Sequence, residues 1–154
     1  MRKRTKRKVY AKINNPIEHA IIGAALPTQK KLDELRMFEL ACIESFATGR
    51  ATLKDWQSIS SLMAVSEVMA KRGIGKEEVL PVCALVETEL LDAAMRFEKT
   101  GKMEVTVSGL DAFRDLFQYH DLQRGSVTQR EYERMIIDTY NRLKSRAPDV
   151  KIIK

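Results

Sequence analysis

The stretch VLPVCALVETELLDAAMRF, residues 79–97, places Val79, Val82, Cys83, Val86, Leu90, Ala93, Ala94 and Phe97 at intervals of three and four. That spacing lines one face of an α-helix. It is the cleanest helical period in the chain. Glu77 and Glu78 precede it and suit the positive end of a helix. Pro81 lacks an amide hydrogen, so it is tolerable only in a first turn, and the regular helix is expected to start near Val79. Gly101 closes it.

The same reasoning extends to both sides. On the N-terminal side, Thr52 and Asp55 form a capping box with Asp in place of Glu, opening a helix over about 53–71. Trp56, Ile59, Leu62, Met63, Val65 and Met69 are its expected core contacts, and Gly73 followed by Ile74 reads as a left-handed stop with a hydrophobic contact. Before it, a helix from Thr28 to about Ala47 carries the stripe Leu32, Leu35, Phe38, Cys42 and Phe46. Met37, Leu40, Ala41 and Ile43 widen that stripe until little polar face remains, so this helix is expected at the centre of the core. Asn15, Pro16 and the apolar spacing of Ile17, Ala20, Ile21, Ala24 and Ala25 predict a short helix over 16–25, ended by Pro27.

On the C-terminal side, KMEVTVS (102–108) alternates like a strand, but a lone strand has nothing to pair with. It reads as an extended connector, or as half of a small ribbon with VKIIK at the C-terminus. Ser108 and Asp111 suggest a cap for a helix over about 110–122, with Leu110, Phe113, Leu116, Phe117 and His120 on one face. QRGS (123–126) reads as a turn. Thr128 and Glu131 form a capping box for a last helix to about Ser145, with Tyr132, Met135, Ile136, Tyr140 and Leu143 inward. Pro148 ends it. The expectation is an all-α, single-domain bundle of about five helices plus the short N-terminal one. A basic arm occupies 1–13, the helical domain 14–147 and a tail 148–154. Connections of a few residues favour antiparallel neighbours.

Charge is distributed unevenly. The formal net charge is +6 and the pI about 9.4. Arg2, Lys3, Arg4, Lys6, Arg7 and Lys8 account for this: without them, the 27 Lys and Arg fall to match the 21 Asp and Glu, and residues 9–154 are formally neutral. A cationic segment of this kind binds polyanions by releasing counterions. Six phosphate contacts would give a log-affinity versus log-salt slope of about −5, at about 0.9 per neutralised charge. Tyr10 can stack on a base and Lys12 can extend the contact. An acidic protein surface would satisfy the same arm. Such an arm reads charge, or at most an A·T-rich minor groove.

Motifs that would carry a reaction are missing. Cys42 and Cys83 have no metal spacing and lie in apolar helical stretches, which points to reduced core thiols and a reducing cytoplasm. No metal-binding His, Glu or Cys spacing and no phosphate-cradling glycine loop occurs, so neither a cofactor nor an enzymatic role is expected. His120 beside Asp121 invites the idea of a general base. Adjacent helical residues point about 100° apart, however, so a hydrogen-bonded histidine at the core edge is the better reading. The apolar run 20–26 is too short for a signal h-region or a membrane span, and no lipidation box is present.

Two stretches can be weighed as helix-turn-helix units. In residues 65–84 the would-be recognition helix opens with Lys-Glu-Glu and contains Pro81, which disfavours phosphate contact. The turn at 123–126 followed by Thr128, Gln129, Arg130 and Arg134 offers side chains that read bases or phosphates, but His120, Arg124 and Glu131 take positions that should be apolar. Arg130 and Arg134 stay as candidate phosphate contacts beside the arm. If that helix is simply solvated, Asp138 and Arg142 would form an i,i+4 pair.

The basic start, NPIEHAIIGAAL (15–26), LRMFELACIESFATGRATLKDW (35–56) and HDLQR (120–124) together resemble small basic-tailed helical proteins of phages and prophages of Gram-negative bacteria. The likeness is one of layout along most of the chain. It implies a bacterial cytoplasm and an accessory role in phage biology, and it assigns no residue a role. The expected function is non-enzymatic nucleic-acid binding through the arm. The alternative is a protein-interaction module acting on a host or phage complex. The sequence leaves the oligomeric state open.

Overall fold

The computed structural model of the chain describes residues 29–146, all of whose regular structure is helical. The short helix expected over 16–25, the arm and the tail from Pro148 lie outside the described residues. The helices are α1 (Gln29–Ala47), α2 (Leu53–Lys71), α3 (Lys76–Thr100), α4 (Val107–Gly125) and α5 (Gln129–Arg146).

Local chemistry sets most of these limits. The Thr52 side chain accepts from the Asp55 amide, and the Asp55 carboxylate accepts from the Thr52 amide at 2.9 Å. That reciprocal box opens α2 as its sequence requires. At the other end, Gly73 takes φ +92°. Its amide bonds Ala70 O at 2.9 Å, and the Ile74 amide bonds Met69 O at 3.0 Å. This is a Schellman stop, and Ile74 packs against the small apolar cluster of Met69, Val127 and Met135.

Two helix starts differ from expectation. α3 begins at Lys76 rather than near Val79, so Pro81 stands in its second turn. The helix bears this because only the bond to the Glu77 carbonyl is lost, and both residues are exposed to water. α4 begins at Val107, not Leu110, because Thr106 is the cap: its hydroxyl accepts from the Gly109 amide at 3.0 Å. α4 also runs through Gln123 and Arg124, which were expected in a turn, and the turn is reduced to Ser126–Thr128. Residues 102–106 form a connector, with no strand among the described residues.

α1 to α4 form an up-down-up-down bundle. Trp56 Nε1 donates to Leu90 O at 2.9 Å, and Cys83 faces Met63 O, so α2 and α3 run in opposite directions. Phe46 meets Phe113 edge-on, with ring centroids 5.2 Å apart, and Arg36 meets Asp121, which makes α1 and α4 antiparallel too. α2 packs against every other helix and is the centre of the bundle. α1 is peripheral, contrary to expectation. Its Leu32, Cys42, Ile43 and Phe46 are buried, but Met37 is 72% and Phe38 55% exposed. α5 rests on α2 through Met135, Met69 and Val127, and only part of its expected inward stripe is covered. Ile136, Tyr140 and Leu143 are exposed, because no described helix stands on that side of α5. Among the described residues no helix is long and apolar enough to cross a membrane.

Candidate functional site

On α4, His120, Gln123 and Arg124 are three and four residues apart, so they project from one face. That face points into the bundle, where Ser66 on α2, Glu39 on α1 and Tyr132 on α5 meet it. The result is a buried polar cluster at the junction of four helices.

The hydrogen bonds determine where the protons are. The Ser66 hydroxyl donates to Leu62 O at 2.7 Å, so its oxygen accepts at His120 Nδ1, 2.9 Å away. Gln123 Nε2 donates to Ser66 O and Ile74 O, which leaves its Oε1 as an acceptor 3.1 Å from the same nitrogen. Nδ1 therefore carries the proton and Nε2 accepts from the Tyr132 hydroxyl at 2.8 Å. Burial, together with the nearby Arg124 charge, pushes the His120 pKa down to about 4. Burial likewise raises the pKa of Tyr132. The Asp121 carboxylate bonds Arg36 and Arg124 rather than His120.

Below the imidazole lies an ionic chain. Arg124, fully buried, grips both oxygens of Glu39 at 2.7 and 2.9 Å and reaches Asp121 at 3.0 Å. Arg36 holds both Asp121 oxygens at 2.9 Å. Burial alone would raise the Asp121 pKa, but its bonds to Arg36 and Arg124 outweigh this and hold it below the ordinary value. Arg36 also reaches the more exposed Asp33 at 3.2 Å, so two cations and three carboxylates make up the chain. Arg124 Nε is a buried donor with no hydrogen-bond partner among the described residues. Burial raises the pKa of both thiols, that of Cys83 to about 12, which leaves them unreactive at neutral pH. No group of three potential metal ligands occurs among the described residues.

Above the cluster the surface opens into a groove of about 350 Å³ between α1, α2 and α5, reaching down to His120 and Tyr132. A second cleft, of about 550 Å³, runs between α1 and α4 beside Met37, Leu40 and Phe117.

Arg2, Lys3, Arg4, Lys6, Arg7, Lys8, Tyr10 and Lys12 lie outside the described residues. Arg130 and Arg134 share a face in the first half of α5, Arg130 half-buried and Arg134 exposed. Asp138 receives Arg72 from the end of α2. The polar cluster was not foreseen, although one signal was present. Glu39 interrupts the apolar stripe of α1 between Leu35 and Cys42, as His120 and Arg124 interrupt that of α4. Opposite charges on two apolar faces are a reason to pair them. Comparison of the chain with family models, with curated proteins and with solved structures returned no match.

Proposed function

We propose that this is a non-enzymatic, phage-type accessory protein of the bacterial cytoplasm that binds nucleic acid through Arg2–Lys8, with Tyr10 and Lys12 extending the contact. The observation that carries the reading is the separation of charge: six basic residues in seven positions at one end, and formal neutrality over the rest. The body keeps several of its cations to itself. Arg36, Lys71, Arg72, Arg114 and Arg124 all pair with its own carboxylates. Such a body adds little field of its own, so the arm is the electrostatic contact. Arg130 and Arg134 are a secondary contact on α5. Fluorescence anisotropy with labelled duplex DNA and RNA tests this. Binding is expected for the full chain and lost when residues 2–8 are deleted; equal affinity for both forms would overturn it.

A second reading, a module that docks on a host or phage protein, is favoured by the apolar surface. Met37, Phe38, Leu40 and Ile136 are exposed along two clefts, and Tyr140 is exposed further along α5. It predicts stoichiometric capture of a protein that survives nuclease and high salt. Capture of nucleic acid alone would exclude it.

A further inference from the structure

The cleft between the antiparallel helices α1 and α4 has Met37, Leu40 and Ala41 along one wall and Phe117 and Gln118 along the other. Met37 is 72% and Leu40 47% exposed. Leu122, also exposed, continues the α4 wall one turn beyond Gln118.

Charge indicates what fits this face. Glu44 stands on the α1 wall and Arg114 on the α4 wall, both exposed. The Glu44 carboxylate has no ion-pair partner among the described residues, and Arg114 makes one long contact, 3.8 Å, to Asp111. The Phe46–Phe113 contact and the Arg36–Asp121 bond fix the register of the two helices. Between those two contacts, helices that rise equally per residue bring Glu44 level with Arg114 and Ala41 level with Phe117. The face is therefore negative on one side, positive at the same height on the other, and apolar between.

Such a face is its own complement. A two-fold axis along the cleft lays α1 of each copy on α4 of the other and leaves every level unchanged. It pairs Glu44 with the second copy's Arg114, twice by symmetry. It also sets bulky Phe117 against small Ala41 and brings Met37 near Leu122. Residues 9–154 are formally neutral, so the two bodies do not repel each other.

We propose that the chain forms a two-fold symmetric homodimer through the α1–α4 face, with Glu44 of each copy paired to Arg114 of the other. Each helix has 19 residues and is about 28 Å long. A pair about 20 Å wide then buries about 1,100 Å² in total, at the low end for specific interfaces. The dimer is accordingly weak, with a dissociation constant of about 1–100 μM. It does not depend on what the arm binds.

Sedimentation equilibrium of the full chain tests it, from about 1 to 500 μM at about 0.15 M salt. A monomer–dimer equilibrium is expected; a monomer throughout overturns the proposal and leaves the face to a different partner. Leu40→Asp should abolish the dimer, whereas Ile136→Asp, in the groove between α1, α2 and α5, should leave it intact. Both sites are exposed and so compatible with folding. A dimer that survives Leu40→Asp, or is lost in Ile136→Asp, lies elsewhere and overturns it. Glu44→Arg and Arg114→Glu should each weaken self-association about ten-fold or more, because each sets like charges together twice. An equimolar mixture of these two variants restores opposite charges in both pairs of a mixed dimer, so association should return to the wild-type level. That recovery can arise only between chains. Its absence overturns the proposed pairing.

Discussion

His120 is held in its neutral form by two acceptors at Nδ1 and one donor at Nε2. With its pKa lowered from the ordinary 6.5 to about 4, the folded protein binds a proton less readily than the unfolded chain. Its contribution to stability is therefore complete above about pH 6.5 and is lost as the pH falls toward 4. Between pH 7 and pH 4.5 this one group should cost about 2–3 kcal/mol, at about 1.4 kcal/mol per pKa unit. Urea midpoints at both pH values should fall further for the wild type than for His120→Gln, which cannot titrate; parallel falls would contradict the assignment. Arg124 makes a second prediction at this scale. Arg124→Met leaves Glu39 and Asp121 without their buried counter-ion and should cost about 3–5 kcal/mol. A denaturation midpoint close to that of the wild type would mean the carboxylates find water instead.

At the scale of the helix, α2 was legible from end to end because both limits rest on local chemistry: the Thr52–Asp55 box and the Gly73–Ile74 stop. The start of α3 was not, because Pro81 argues for a boundary that solvent makes unnecessary. Its cost should remain measurable. Pro81→Ala restores the bond to the Glu77 carbonyl and improves helix propensity, and is expected to stabilise the protein by about 1–2 kcal/mol, less than the full proline penalty because the unfolded chain also gains freedom. A loss of stability would show that α3 needs the proline. The limits of α4 were misread for a related reason: Thr106 and Ser108 are both plausible caps, and only the packing of Gly109 beside Glu89 selects the first. The charges that interrupt the apolar stripes of α1 and α4 hint at a pairing, but no local rule matches Arg124 to Glu39, 85 residues away. Such partners become visible only when the helices are placed side by side.

For the whole molecule, the all-α class and the bundle follow from apolar periodicity, whereas which helix lies at the centre does not. The wide apolar stripe on α1 suggested burial. α2 takes the central place, and α1 and α5 are left with apolar faces in contact with water. Charge, unlike packing, can be read directly from the sequence, and the functional account rests on it. The most direct test is the slope of log affinity against log salt for duplex DNA, between about 50 and 200 mM salt. Engagement of all six cations from Arg2 to Lys8 predicts a slope of about −5 that collapses when those residues are removed. A slope near zero, or one unchanged by the deletion, would contradict the account.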